Sequence, residues 1–323
     1  MYDITSLGEL LIDFTQKGIS ENGQKLYERN PGGAPANVLV AMSRMGAKAA
    51  FIGKVGDDIH GSFLKETLMQ EGIDISGIVV DKDVFTTLAF VTLDDRGGRN
   101  FSFARKPGAD IMLTEEEVSD KLILQSKILH IGSLSLTGEP CKSATFHALQ
   151  VAKAAGCIIS YDPNYRAALW DGKDNAVEAI KAVAAYADIV KISEEEVDLI
   201  TPYKDPAKAA EYLVREGIDI AVVTLGENGA YVSCNRGSCH VPGFRSKAVI
   251  DTTGAGDAFC GGFLYCISKY VNKINEINLD DIKSFAEYAN AAASLCVEKY
   301  GGIPGMPAAS DIKKRLQCKH RYH

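Results

Sequence analysis

Asp251-Thr252-Thr253-Gly254-Ala255-Gly256-Asp257-Ala258-Phe259 places three small residues and a carboxylate where a loop turns into an apolar helix. Gly254, Ala255 and Gly256 leave the backbone free to crowd a ligand, and a helix opening at Asp257 offers unpaired N–H groups at its positive dipole end. Such a turn suits an anion, and a phosphoryl group in particular. A fixed carboxylate would repel that anion, so Asp257 is better suited to orienting a substrate hydroxyl and accepting its proton, leaving the oxygen to attack phosphorus. Taken alone, the four residues read equally well as a glycine-rich turn whose aspartate caps the helix. Their surroundings favour the functional reading, because Gly261, Gly262 and Phe263 continue a helix whose glycines permit close packing or close ligand approach.

A second stretch, Asn30-Pro31-Gly32-Gly33-Ala34-Pro35-Ala36-Asn37, is followed by a helical pattern and then by Gly53-Lys54-Val55-Gly56-Asp57-Asp58-Ile59-His60-Gly61. Gly32-Gly33 lets backbone amides approach a polyhydroxylated ligand, Pro35 takes a permitted first-turn position, and Asn37 projects an amide that both donates and accepts. By itself this stretch also reads as a tight turn before a core helix with Val38, Met42 and Met45 inward. The two stretches, in this order, resemble the two signatures of the ribokinase-like (PfkB) carbohydrate kinases. That resemblance spans nearly the whole chain. It implies a three-layer α/β/α sandwich with a mainly parallel central sheet and a small β-sheet lid, in a single domain over residues 1–323. It also implies a sugar and ATP as small-molecule partners, Mg²⁺ as cofactor, and K⁺ as a further candidate.

Composition fits a globular enzyme: 323 residues, 46% hydrophobic, 24% charged, formal net charge −7 without an acidic or basic block. Neither a nucleic-acid partner nor a membrane is expected, since no apolar run approaches the ~18 residues needed to cross a bilayer. Met1-Tyr2-Asp3-Ile4 starts a strand rather than a cationic signal peptide, so a cytoplasmic location is the expectation. Eight scattered cysteines (Cys141, Cys157, Cys234, Cys239, Cys260, Cys266, Cys296, Cys318) lie mostly in apolar segments and lack Cys-x-x-Cys spacing. They read as reduced core residues, and the six dispersed histidines support no structural metal site. His320 and His323 read as a frayed tail.

Apolar runs that read as strands (Ile4 to Phe14, Ala49 to Gly53, Ile128 to Ile131, Cys157 to Tyr161, Ile189 to Ile192, Ile220 to Leu225) alternate with helical patterns near Pro35 to Met45, Gly61 to Glu71, Pro140 to Ala155, Ala207 to Glu216, Asp257 to Lys269 and Ile282 to Glu298. The alternation predicts a parallel sheet between helices, with ligands beyond the carboxyl ends of its strands. Two segments, roughly 12–30 and 85–106, break the rhythm. In the second, Thr87 to Leu93, Asp94-Asp95-Arg96-Gly97-Gly98 and Asn100 to Ala104 read as a hairpin with no helix after it. The two segments would pair into one flap, which in the resembled family forms a lid over the sugar and often the homodimer contact.

Val223-Thr224-Leu225-Gly226-Glu227-Asn228-Gly229 offers a strand end, a hydroxyl and two glycines suited to a polyphosphate, although an ordinary hairpin explains it more often. The family's Thr-x-Gly-x-x-Gly segment matches Thr224, Gly226 and Gly229, and its nucleotide-side asparagine matches Asn290. No Walker motif is present. Lys191-Ile192-Ser193-Glu194-Glu195-Glu196 corresponds to the family's Asn-x-x-Glu segment, with Ser193 in place of Asn and Glu196 retained to arrange Mg²⁺ through water; Ser193 with Glu196 is also a capping box. The family's K⁺ positions correspond to Asp251 and Thr253 with backbone carbonyls near Cys296, Lys299 and Gly301.

For the sugar, Asp13 follows the first strand, where a carboxylate can accept from two hydroxyls, and Gly32, Gly33 and Asn37 supply further polar groups. Arg105 would reach in from the flap, with Phe101 or Phe103 excluding water; the alternative is an exposed arginine on an alternating strand. Arg166 sits at a strand-to-loop transition and suits neutralising transferring phosphate charge, or else a surface salt bridge. Gly-Gly-Ala-Pro-Ala-Asn at 32–37, Phe-x-Arg-x-Pro-Gly-Ala-Asp at 103–110 and Asp-Pro-Asn-x-Arg at 162–166 with Leu169-Trp170 are together most similar to the fructokinases. The reaction so implied is phosphorylation of D-fructose at O6, with Asp257 as base and the Gly254 to Gly256 amides on the phosphoryl group. A kinase for 2-keto-3-deoxygluconate is the competitor, its carboxylate calling for positive charge from Arg105 and Lys106. A catalytically silent binding protein is disfavoured by the intact Asp257, and a dehydrogenase by the missing Gly-x-Gly-x-x-Gly.

Overall fold

Ile220-Ala221-Val222-Val223 is apolar at every position, and a strand with that composition is stable only when both of its faces are covered. In the computed structural model, which describes residues 1–93, 99–270 and 273–317, Ile220 and Val222 pack into one apolar layer and Ala221 and Val223 into the other. The strands are β1 (Ile4–Leu7), β2 (Leu11–Ile19), β3 (Lys25–Gly32), β4 (Ala49–Gly56), β5 (Asp74–Asp81), β6 (Leu88–Leu93), β7 (Arg99–Ala104), β8 (Ile128–Ile131), β9 (Ile158–Tyr161), β10 (Ile189–Ser193), β11 (Ile220–Thr224), β12 (Ala230–Cys234) and β13 (Gly237–Val241). The helices are α1 (Ala34–Arg44), α2 (Ile59–Gln70), α3 (Asp120–Leu124), α4 (Cys141–Ala155), α5 (Lys173–Ala184), α6 (Val197–Ile200), α7 (Pro206–Arg215), α8 (Ala255–Lys269), α9 (Leu279–Cys296), α10 (Gly302–Gly305) and α11 (Ala309–Gln317).

The large sheet runs β13-β12-β11-β10-β9-β8-β1-β4-β5, parallel from β11 to β5 and antiparallel only at the β11-β12-β13 end. One layer against it holds Val38 and Met42 of α1, Leu64 of α2, Phe259 and Leu264 of α8 and Ala289 of α9. The opposite layer holds Leu149 of α4, Ile180 of α5 and Leu213 of α7. This is the three-layer α/β/α architecture. The chain leaves β1 toward β4 and β5 on one side and later returns to β8 on the other, so the strand order reverses beside β1 and opens a crevice beyond its carboxyl end.

A second sheet, β3-β2-β6-β7, stands on that edge. Its β2 pairs antiparallel with β3 and parallel with β6, and the cross-strand pair Phe14 and Phe90 stacks with ring centroids 5.3 Å apart. The turn at 94–98, the Phe101 side chain, Cys318 and the histidines of the tail lie outside the described residues.

Two expectations need correction. The run from Ile4 to Phe14 is two strands in two different sheets, because Gly8 passes so close to α1 that a Cβ there would sit 2.6 Å from Pro35 Cγ. Helix α8 starts at Ala255, two residues earlier than expected, with Gly254 as its N-cap. β5, an edge strand with a half-exposed face, and α5 were not anticipated. The seven described cysteines are all free, and no helix among the described residues is long and apolar enough to cross a membrane.

Candidate active site

The glycine-rich turn owes its shape to positions that only glycine fills cheaply. Gly254 adopts φ 79°, and a Cβ on it would lie 3.0 Å from the Cα of Gly302, so α8 starts pressed against α10. Asp251 ties the same loop together: its Oδ1 accepts from Thr253 N–H at 2.8 Å and its Oδ2 from Gly301 N–H at 2.9 Å. The helix N-terminus therefore faces the crevice on a rigid mount, and Asp257 lies within the first turn without a side-chain capping bond. The capping reading of this aspartate is excluded.

Asp257 is 6% exposed and gripped by two amides. Asn37 Nδ2, from α1, donates to its Oδ2 at 2.7 Å, and Asn164 Nδ2, from the loop after β9, donates to its Oδ1 at 3.2 Å. Burial pushes the Asp257 carboxyl up to about 6; the Asn37 hydrogen bond works against that rise, and repulsion from Asp162 adds to it. Asn37, expected at the sugar, thus gives one of its two amide N–H donors to the aspartate, while its Oδ1 is buried without a hydrogen-bond partner. Asn164 escaped the sequence reading. Its signal was Asp162-Pro163-Asn164, an Asx-type turn in which Asn164 takes φ 46°.

Asp13 stands on β2 opposite Asn30 of β3, and burial raises its carboxyl to about 7. A Cβ on Gly32 would meet Asp13 Oδ2 at 2.3 Å, so the missing side chain at 32 is what gives this carboxylate room. Gly33 has a separate reason: at φ 116° its Cβ would strike the Glu9 carbonyl at 2.3 Å. Asp251, Asp257 and Arg166 are close enough to act electrostatically on Asp13, and Arg166 acts on Asp257 as well. The Arg166 guanidinium is exposed, donates only to the Asn164 and Tyr165 carbonyls, and has no carboxylate within ion-pair distance among the described residues. The surface salt bridge considered for it is not formed.

Arg105 is not the exposed strand arginine of the alternative reading. Its side chain is 5% exposed; Nη2 lies 2.7 Å from Asp110 Oδ2, Nη1 donates to Thr137 Oγ1 at 2.7 Å, and Nη2 also donates to the Leu134 carbonyl at 3.0 Å. Its charge is balanced by Asp110. Phe103 and Arg105 both line a shallow hollow under the small sheet, with Phe85 and Leu88.

On the other side of the anion turn lies a mostly apolar cavity of about 330 Å³. Thr224, Gly226, Gly229, Ala255, Gly256, Asn290 and Val297 are among the residues that line it. The hairpin reading of 223–232 also holds, since β11 and β12 are antiparallel neighbours. Asn290 is fixed by donating to the Val241 and Pro242 carbonyls. Ser193 lies outside this lining and forms a capping box with Glu196, whose Oε2 accepts from Ser193 N–H at 2.8 Å and from its hydroxyl at 3.0 Å. Glu196 Oε1 accepts from Tyr165 N–H at 2.6 Å. At the candidate K⁺ loop, the Cys296 thiol reaches the Thr253 carbonyl at 3.7 Å and Lys299 N–H bonds the Cys296 carbonyl. No three His, Cys, Asp or Glu side chains among the described residues converge as a metal cage.

Residues 1–309 match the sequence model of a family described as pfkB family carbohydrate kinase. The chain is 40% identical over 326 residues to a probable fructokinase-5 of Arabidopsis thaliana, covering 98% of each, and 40% identical to fructokinase-1 of Zea mays, covering 97% of each. Its fold matches a fructokinase of Xylella fastidiosa solved with ATP, at TM-score 0.90 and 32% identity over 98% of this chain and 99% of that one. It also matches a Vibrio cholerae fructokinase solved with fructose, ADP and calcium, at TM-score 0.86 and 32% identity over 97% and 98%.

Proposed function

The chain belongs to the pfkB family of carbohydrate kinases, and from that premise we propose that it is a fructokinase, transferring the γ-phosphoryl group of ATP to O6 of D-fructose. The observation that carries the reading is Asp257: a buried carboxylate with both oxygens held, close enough to Asp13 to feel its charge and next in the chain to Ala255 and Gly256, which line the cavity. Asp13 accepts hydrogen bonds from sugar hydroxyls, and the amides flanking Gly32 and Gly33 lie alongside. The 6-hydroxyl donates its proton to Asp257, the oxygen attacks the γ-phosphorus in line, and ADP leaves toward Asn290 and Thr224. Charge on the transferring group falls on the first-turn N–H groups of α8 and on Arg166.

Mg²⁺ bound with the nucleotide neutralises phosphate charge. The residues fit such an ion: Glu196 already accepts three protein hydrogen bonds, so its remaining lone pairs suit a metal-bound water better than direct ligation. For K⁺, the Thr253 carbonyl and the loop held by Asp251 offer oxygen donors, and a Vibrio cholerae relative has been solved with potassium. A two-fold dimer would use the β2–β3 end of the small sheet, which leaves Ile19 67% and Leu26 50% exposed on its two opposite faces. The free cysteines suit a reducing cytosol.

The neutralised Arg105 weighs against a keto-acid substrate, whose carboxylate would face a cation already paired with Asp110. Competition between fructose and 2-keto-3-deoxygluconate, with the product identified by phosphorus NMR, tests the assignment. Fructose 6-phosphate as the main product supports it, and preferential turnover of the keto acid overturns it.

A further inference from the structure

Lys191, Asp162 and Asn164 form a chain that ends on Asp257 and that the reaction as described leaves unused. Lys191 lies on β10, 8% exposed, and its Nζ donates to Asp162 Oδ2 at 2.8 Å. Asp162, at the end of β9 and 2% exposed, accepts from Asn164 N–H through its Oδ1 at 3.2 Å. That Asx turn supports the left-handed backbone of Asn164, which few residues other than glycine or asparagine tolerate. The turn is pinned on both flanks: the Pro163 carbonyl accepts from Ser133 N–H at 3.1 Å, and Tyr165 N–H donates to Glu196. What this framework presents to the crevice is the Asn164 amide, 3.2 Å from Asp257 Oδ1.

A carboxylate held by one amide can still pivot about that hydrogen bond, whereas one held at both oxygens cannot. Each oxygen keeps a lone pair for a substrate hydroxyl. We infer that Asn164, propped by the buried Lys191–Asp162 pair, is a positioning residue that fixes the plane of the Asp257 carboxylate toward the reacting hydroxyl. The inference rests on the reading of Asp257 as the base.

The decisive variant is Asn164→Gly, which deletes the amide while keeping a residue at ease at positive φ. Steady-state kinetics with fructose and Mg-ATP should show kcat reduced about 10- to 100-fold, with both KM values nearly unchanged and the thermal midpoint preserved. The double variant Asn164→Gly/Asp257→Asn should be no slower than Asp257→Asn alone, because Asn164 acts only through that carboxylate. Lys191→Met with Asp162→Asn, which removes the pair without stranding a charge, should lower kcat in the same sense. Wild-type kcat in Asn164→Gly beside an inactive Asp257→Asn would overturn the positioning role and leave the base intact. A loss confined to KM would overturn it too, since it would put Asn164 on the substrate. Full activity in Asp257→Asn would instead sink the underlying reading.

Discussion

Asp257 has its carboxyl raised to about 6 by burial, and two consequences follow at this one residue. The base works only when ionised, so kcat/KM for fructose should fall on the acid side with an apparent midpoint near 6 in a pH–rate series. Stability responds with the opposite sense. The unfolded chain ionises this group near 3.8 and the folded one near 6, so folding protects the proton and stability is lost as pH rises through that window. Asp257→Asn lacks this titration, so its thermal midpoint relative to the wild type should climb by a margin that grows from about pH 4 to about pH 6 and then levels. A margin independent of pH would contradict the burial argument. The aspartate and its glycines were legible because small residues before an apolar helix have few other uses. Asn164 was not, because its role depends on a left-handed turn after β9 meeting the first turn of α8, 93 residues later. The partners of Arg105 were hidden for a similar reason, since Asp110, Thr137 and Leu134 converge on it only after folding.

Helix α8 carries the anion turn at one end and packs against α1 through Gly261 and along α9 through Gly262. A Cβ on Gly262 would sit 3.1 Å from Ala289 Cα and 3.3 Å from Ala292 Cβ, against backbone that cannot swing aside. Gly262→Val should therefore destabilise the protein by about 1–3 kcal/mol in urea denaturation, through overpacking. It should also raise KM for ATP, because α9 bears Asn290 on the cavity wall. An unchanged midpoint would mean that the two helices separate freely. Elements of this kind were readable where periodicity and punctuation agree, as in β10, β11 and α4. They blurred where an apolar run crosses between sheets, as it does from Ile4 to Phe14, since hydrophobicity reports burial and not which sheet does the burying.

Across the whole molecule, the reversal of strand order beside β1 sets the crevice, and the small sheet stands at its rim on the sugar side. Exposed Leu26 shares the face of β3 that carries Asn30, the residue opposite Asp13, so a partner copy seated on it would also cover the sugar side. In sedimentation, the wild type should run at twice the mass of the 34.8 kDa chain, and Leu26→Asp should shift it toward the monomer with a raised KM for fructose. A wild-type monomer would refute the dimer. The central claim is fructose phosphorylation with Asp257 as base, and the most direct test is Mg-ATP-dependent formation of fructose 6-phosphate by the wild type and by Asp257→Asn at pH 7.5. Turnover of fructose by the wild type, reduced at least about 100-fold in the variant with KM for ATP little changed, is the predicted result. Equal rates in the two proteins, or no turnover of fructose by the wild type, would contradict it.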